Sequence, residues 1–398
     1  MALRFGPFSL DIPRRELRRE GALVAVEPRV FDLIAYLVQE RARVVSKDEI
    51  LDAVWAGRIV SESTLTSRIN AARRALGDSG EAQSLIRTVP RKGFRFVGEV
   101  DDPATPSAPP SPGAQATFPH APRVTFCRSA DGVNIAISTC GDGPPLVKVG
   151  TWLTHVEHDW HTSVWGPLYR HLAERFKLVH YDPRGCGLSD QEPQNMSFEG
   201  FVHDLEAVVD AAGLEQFALL CFSQGASVGI AYAVRHPERV SRVVVAGGFP
   251  LGWRKRGSAA EIATREAMMT LIRHGWGQDN PAFRQVFTTR FWPDLRPEHI
   301  EAFDALQRYS ATPEGAVRIQ DVTGDSDVTG LLPQVTVPTL VIHSRDDGAV
   351  PREMGLLMAR GIPGARFVEM QTRNHTPMPH EPEWPRYLDE ICSFAGAR

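Results

Sequence analysis

Apolar positions follow two different rhythms along this chain. Over residues 28–41, Val30, Leu33, Ile34 and Leu37 recur at helical spacing. Ser46-Lys-Asp-Glu49 has the form of a capping box, and Ile50, Leu51, Val54 and Trp55 behind it predict a second helix. A third helix is predicted from Ser63 to Leu76, where Gly77 stops it. Strand-like runs flank these helices: 3–10 before them, and 85–89 and 94–97 after them, the last two joined by Pro90-Arg-Lys-Gly93. Beyond 123 the rhythm changes. Short apolar runs at 146–149, 178–181, 217–222, 243–246 and 339–343 alternate with helical stretches. That alternation predicts a mostly parallel sheet with helices on both faces.

The two patterns are separated by DDPATPSAPPSPGAQATFPHAP, residues 101–122, where seven of 22 residues are proline. Little in this stretch can pack a core, so it reads as a linker, spanning roughly 25 Å as coil and about 70 Å as extended polyproline. A length of 398 residues also exceeds one hydrophobic core. The expected organisation is a small α+β domain over 1–100, the linker, and an α/β domain over 123–398.

Charge divides the same way. Residues 1–100 hold 17 Lys and Arg against 13 Asp and Glu, formally +4, so the remainder carries −8 of the net −4. No apolar run approaches the roughly 18 residues of a membrane span, and the first residues lack the apolar core of a signal peptide. Cys127, Cys140, Cys186, Cys221 and Cys392 form no CxxC pair, which suits reduced thiols and a cytoplasmic location.

On the third helix, Leu65, Ile69, Ala72 and Leu76 share one side. Ser67, Asn70, Ala71 and Arg74 point away from it, with Ser63, Thr64 and Arg68 on the flanks and no acid among them. Arginine and asparagine on such a face match base edges in a major groove, whereas Arg68, Arg73 and Arg74 can equally form an ordinary solvated surface. The hairpin, with Thr88, Arg91 and Lys92, suits phosphate or minor-groove contact. Residues 1–100 resemble the winged-helix effector domain of OmpR/PhoB-type response regulators and ToxR/CadC activators. The resemblance rests on the strand run at 3–10, Ser46-Lys-Asp-Glu-Ile-Leu-Asp-Ala-Val-Trp55, the helix 64–76, and Ile86-Arg-Thr-Val-Pro-Arg-Lys-Gly-Phe-Arg-Phe96. It implies a recognition helix at about 63–76, a wing at about 85–97, and double-stranded DNA as partner. It departs from the family in that neither a receiver domain before the module nor a transmembrane helix after it is expected from these residues.

In the second module, Leu219-Leu-Cys221-Phe-Ser223-Gln-Gly225-Ala-Ser227 lies between a strand and a helix. A nucleophilic serine on such a sharp turn needs small residues two positions away, and Cys221 and Gly225 are there. The hydroxyl also needs a histidine to take its proton and a carboxylate to orient that histidine. Asp346 and Asp347 follow a predicted strand, and His375 lies in Gln371-Thr-Arg-Asn-His-Thr-Pro377. The order Ser, Asp, His, and the stretch Tyr181-Asp-Pro-Arg-Gly-Cys-Gly-Leu-Ser189, resemble the α/β-hydrolase family over 123–398. The resemblance implies Ser223, Asp347 and His375 as triad, with Asp346 the flanking alternative. It also implies a helical cap at about 250–330 and an oxyanion hole from the backbone N–H groups of Trp152 and Gln224. Two departures stand out: Cys221 replaces the usual first glycine, and Val149-Gly-Thr-Trp152 replaces a His-Gly element.

His155, His158 and His161, near Glu157 and Asp159, match no zinc signature, and neither a metal nor a cofactor is indicated. Trp152, Trp160, Trp165, Trp253, Trp276, Phe291 and Trp292 supply material for an apolar cavity. Together the modules predict a cytoplasmic transcription regulator that binds, and can hydrolyse, a small apolar ester, lactone or acyl signal. Palindromic or direct-repeat sites would favour a homodimer. The alternatives are a serine hydrolase using the winged helix for localisation or autoregulation, and an inactive receptor.

Overall fold

The computed structural model describes residues 3–397 apart from 13, 20, 42–44, 56–61, 80–82, 90–92, 99, 101–120, 277 and 279–281. It divides into two compact units, Met1–Gln115 and Ala116–Arg398. All but the last two residues of the proline-rich stretch lie outside the described residues.

The first unit opens with a four-stranded antiparallel sheet, β1 (Leu3–Phe5), β2 (Phe8–Asp11), β3 (Glu16–Arg19) and β4 (Ala22–Val24). The single strand run expected at 3–10 is therefore a hairpin, turned at Gly6 with φ +51°. Three helices follow: α1 (Pro28–Gln39), α2 (Lys47–Trp55) and α3 (Glu62–Ala75). The capping box forms, with the Ser46 N–H donating to Glu49 Oε2 (2.8 Å) and the Glu49 N–H to Ser46 Oγ (3.2 Å). Val30, Leu33, Ile34, Leu37, Ile50, Val54, Leu65, Ile69, Ala72 and Leu76 are all buried in one core. The unit ends in the hairpin β5 (Ile86–Val89) and β6 (Gly93–Phe96). Gly93 is required there: its φ is +142°, and a Cβ would lie 1.9 Å from the Val45 carbonyl oxygen.

Asp78 ties that hairpin to the end of α3. Its carboxylate accepts the N–H groups of Ser79, Ser84, Leu85 and Ile86 and the Ser84 hydroxyl. Burial alone would raise its pKa, but the bonds from Ile86, Leu85 and Ser84 outweigh it and hold it at about 2. A depressed carboxylate adds stability that is full above pH 4 and is lost as pH falls through about 2. Asp78→Asn should cost about 2 kcal/mol at neutral pH and flatten that acid limb. Amide exchange at β5 checks this, and unchanged protection would contradict it.

The second unit carries an eight-stranded sheet. Its strands are β7 (Arg123–Arg128), β8 (Asn134–Cys140), β9 (Pro145–Lys148), β10 (Lys177–Tyr181), β11 (Phe217–Phe222), β12 (Val240–Ala246), β13 (Thr339–Ser344) and β14 (Arg366–Met370). The order across the sheet is β14-β13-β12-β11-β9-β10-β8-β7, parallel from β14 to β10, with β8 and β7 added antiparallel. Every residue of β11 and β13 is buried, as a strand covered on both faces requires. The covering helices are α4 (Gly166–Ala173), α5 (Phe198–Ala211) and α6 (Gly225–Arg235). Five more, α7 (Trp253–Arg256), α8 (Ala259–Gly275), α9 (Ala282–Phe291), α10 (Pro297–Ser310) and α11 (Pro313–Asp325), form an insertion between β12 and β13. Helices α12 (Arg352–Gly361) and α13 (Trp384–Ala395) complete the unit. All five cysteines are free thiols. No helix among the described residues is long and apolar enough to cross a membrane.

Candidate functional site

Ser223 occupies the step from β11 to α6 with φ +47°, a conformation that a serine adopts only under strain. Its N–H donates to the Ala246 carbonyl (3.1 Å) and its own carbonyl accepts the Ala226 N–H (3.1 Å), which holds the turn. Cys221 fits two residues earlier because Gly229 lies beneath it. A Cβ on Gly229 would fall 2.3 Å from Cys221 Sγ. Gly229→Ala should therefore cost about 1–3 kcal/mol by overpacking, and adding Cys221→Gly should restore much of it. Urea denaturation of the two single variants and the double variant tests this; simple additivity of the losses would contradict it.

Asp347 follows β13 in a turn that its own carboxylate closes, Oδ1 accepting the N–H groups of Ala349 (2.8 Å) and Val350 (3.0 Å). Its Oδ2 lies 2.6 Å from His375 Nδ1, with the two side chains 0% and 6% exposed. Asp346 is exposed, so the backbone brings Asp347 rather than Asp346 to the imidazole. A carboxylate at this distance selects the Nδ1–H tautomer and leaves Nε2 with its lone pair. His375 Nε2 is buried without a hydrogen-bond partner among the described residues. The histidine backbone is clamped on two sides: its N–H donates to the Phe291 carbonyl at the end of α9 (2.6 Å), and its carbonyl accepts the Ser344 hydroxyl (3.3 Å). Gly247, with φ +61°, lets the ring sit close, since a Cβ there would lie 2.8 Å from His375 Cε1. His343 stands behind the pair, its Nε2–H on the Val350 carbonyl (3.0 Å), and burial lowers its pKa below the usual histidine range.

Ser223 and His375 line one cavity with Trp152, Trp165, Phe291, Trp292 and Phe303. It offers about 30 Å³, enough for a water or two. Among the described residues neither the Trp152 nor the Gln224 N–H donates to a protein acceptor. The Trp152 indole stacks on Trp276 at 5.5 Å and meets Phe287 and Phe291 edge-on, so the loop after β9 is fastened to the inserted helices. Lys148, fully buried at the end of β9, donates to Thr151 Oγ1 (3.0 Å) and braces the same loop. Burial lowers its pKa to about 8 against the pull of Asp159 and Asp182. Trp160 and Trp276 are core residues, and Trp253 faces other cavities. His155 Nδ1 accepts the N–H groups of Glu157 and His158, and the His158 ring stacks on Tyr309.

In the first unit, Ser67, Asn70 and Arg74 of α3 are exposed, and Thr64, Arg68 and Ala71 are half-buried. Arg68 forms an ion pair with Glu27. The Ser63 side chain and all of Arg91 and Lys92 lie outside the described residues. Arg73 is not part of a solvated face: it is 6% exposed and donates to the Ile86 carbonyl and to Thr88 Oγ1 (2.9 Å). Thr88 thereby serves as an anchor between α3 and the hairpin. Arg87, which is not among the residues expected from sequence, is exposed beside it, as the inward-facing Ile86 before it on the strand requires.

Residues 145–382 match the family model described as alpha/beta hydrolase fold. The chain belongs to the α/β hydrolase family. Residues 21–96 match the model described as transcriptional regulatory protein, C terminal, an OmpR/PhoB-type winged helix. This α/β hydrolase is similar to the AB hydrolase superfamily protein YisY of Bacillus subtilis (strain 168), 24% identical over 266 residues that cover 63% of this chain and 91% of that one. It is also similar to the 2-hydroxymuconate semialdehyde hydrolase of Pseudomonas putida, 26% identical over 233 residues, 56% of this chain and 78% of that one. Among solved structures, an esterase from Exiguobacterium antarcticum superposes with a TM-score of 0.59 at 23% identity, covering 69% of this chain and 99% of that one. The enol-lactonase from Burkholderia xenovorans LB400 gives 0.56 at 19% identity, covering 68% and 99%. At these identities the structural likeness establishes the fold. An α/β hydrolase fold and a DNA-binding winged helix thus share one polypeptide.

Proposed function

We propose that this chain is a cytosolic transcription regulator whose hydrolase-fold unit binds a small acyl compound and cleaves it. The observation that carries the reading is the buried Asp347–His375 pair, 2.6 Å apart, opening onto the cavity that Ser223 also lines, in a chain with a winged helix. In the proposed reaction Ser223 Oγ attacks the acyl carbon while His375 Nε2 takes its proton, and Asp347 stabilises the imidazolium. The N–H groups of Trp152 and Gln224 receive the oxyanion, the leaving alcohol takes the proton back, and water repeats the sequence on the acyl-enzyme. About 30 Å³ admits no acyl ligand, so entry requires Phe291, Trp292 or α9 to give way. Because Phe291 also holds the His375 N–H, ligand entry and histidine placement are coupled. On the DNA side, Ser67, Asn70 and Arg74 would meet base edges, with Thr64, Arg68 and Ala71 at the margin and the hairpin on the backbone.

A receptor without turnover is the second reading, favoured by the absence of a hydrogen bond to His375 Nε2. Labelling by a fluorophosphonate separates the two. The first reading predicts covalent labelling at Ser223 and discrete sites in a genome-wide binding assay. Absence of labelling supports the receptor, and absence of binding sites removes the regulator from both.

A further inference from the structure

Three arginines converge beyond the aromatic wall of the Ser223 cavity. Arg256 ends α7, Arg265 lies in α8, and Arg290 lies one residue before the end of α9. With Trp253, Gly348 and Met354 they line a cavity of about 590 Å³, bounded on one side by the loop that follows Asp347. Arg256 donates to the Leu251 carbonyl (2.9 Å) and lies over the Phe249 ring, and Arg265 donates to the Ala349 carbonyl (2.8 Å). Arg290 Nε is buried with no hydrogen-bond partner. None of the three forms an ion pair among the described residues.

The missing counter-ions are not a matter of supply. Arg254, two residues from Arg256, pairs with Glu266, Asp321 and Asp325. The carboxylates on the cavity lining, Glu261 and Glu353, are exposed at its rim, and Glu261 accepts the Ser258 N–H (2.7 Å). Burial and then mutual repulsion lower Arg256 to about 10 and Arg265 to about 9, and burial lowers Arg290, against the longer-range attraction of Asp347 and Glu261, which pair with none of them; a guanidinium stays a cation at neutral pH. A cluster of like charges, partly desolvated and unpaired, destabilises the empty protein and is relieved by an anion.

Its place relative to the nucleophile gives the cluster a use. Arg265, Arg290 and Trp253 also line a smaller void with Met268, Met269, Ile272 and Phe287. Trp152 and Phe291 separate that void from the Ser223 cavity, for they line both. Only these apolar side chains therefore stand between the serine and the guanidinium groups, and a ligand that spans both displaces Phe291, the same movement that entry to the Ser223 cavity requires. We propose that the ligand is an acyl compound with an anionic group, a carboxylate or phosphate monoester, at the end remote from its acyl carbon, held by Arg256, Arg265 and Arg290. Guanidinium forks match the paired oxygens of either anion. The inference rests on Ser223 as the acyl-binding position, and it replaces the wholly apolar signal expected from sequence by an amphiphilic one.

The test is binding to full-length Ser223→Ala, which needs no turnover. Adipate and butyl phosphate should bind and raise the melting temperature, and the neutral adipamide should bind at least ~10-fold more weakly. Tighter binding of one anion identifies whether carboxylate or phosphate is preferred. Arg290→Gln, added to Ser223→Ala, should weaken the preferred anion ~10-fold without lowering the melting temperature of the free protein, because Arg290 forms no ion pair and one repulsive charge is gone. Equal binding of adipate and adipamide, no binding of either anion, or unaltered anion affinity in the Arg290→Gln variant would each overturn the proposal. If wild type cleaves neutral esters and binds no anion, this proposal fails while the hydrolase reading stands. If anions bind through Arg290 but Ser223 never acylates, the reverse holds.

Discussion

Ser223→Ala is expected to lower ester turnover by about a million-fold, leaving roughly a thousand-fold over water from binding and the oxyanion donors. The size of the effect follows from the division of labour. The imidazole Nε2 has nothing to deprotonate once the hydroxyl is gone, so His375 and Asp347 lose their function together. His375→Ala should cost about as much, and the double variant little more than either single one. Burst and steady-state kinetics with p-nitrophenyl butyrate measure this. Multiplicative losses, or turnover surviving Ser223→Ala, would show that these residues do not act as one unit.

Arg184→Leu is expected to be the most destabilising single substitution in the hydrolase unit, by about 3–5 kcal/mol. Arg184 and Asp204 are both 0% exposed and meet in a fork, Nη2 donating to Oδ1 (2.7 Å) and Nε to both oxygens (3.1 and 3.0 Å), with the Arg184 backbone N–H on Oδ2 as well (3.1 Å). The same guanidinium reaches Asp131 (2.6 Å), Ser129 Oγ (3.0 Å) and the Asn195 carbonyl (2.7 Å). Room for it exists because Gly200 has no side chain: a Cβ there would lie 2.6 Å from Nη1. Leucine would leave the Asp204 carboxylate buried with no cation, which is the costly half of breaking such a pair. Adding Asp204→Leu should recover part of the loss. Urea denaturation followed by tryptophan fluorescence reads both variants, and a loss below about 1 kcal/mol for Arg184→Leu would contradict the account.

Those two residues mark how far the sequence could be read. The elbow at Ser223 was legible because a strained turn between a buried strand and a helix permits few residues. The parallel strands were legible because burial on both faces makes them unbroken apolar runs, as in β11 and β13. Strands β7 and β8 escaped notice for different reasons: β7 has no fully buried position, and Asn134, Ser138 and Thr139 interrupt the apolar run of β8 although Ile135–Ser138 are all buried. Strands β3 and β4 are short and bury one residue between them, Leu17, so they leave no apolar run either. The family resemblance pointed to Asp347 with Asp346 as the flanking alternative, and the backbone after β13 gives the physical reason: the N–H groups of Ala349 and Val350 fix the Asp347 carboxylate toward His375. Arg73 read as a surface cation, but its partner is a backbone carbonyl of β5, which no helical pattern reveals. The arginines at 256, 265 and 290 meet only through the packing of α7, α8 and α9, and their spacing carries no signal.

The most direct measurement of how the two modules are joined is the affinity of the full-length chain for a duplex recovered from the genome-wide binding assay, at one fixed salt concentration, with and without the ester p-nitrophenyl butyrate. The account predicts a shift of about 5-fold or more on adding the ester. In wild type the shift should decay as the ester is consumed, and in Ser223→Ala it should persist. Identical affinity with and without the ester, in both proteins, would contradict it.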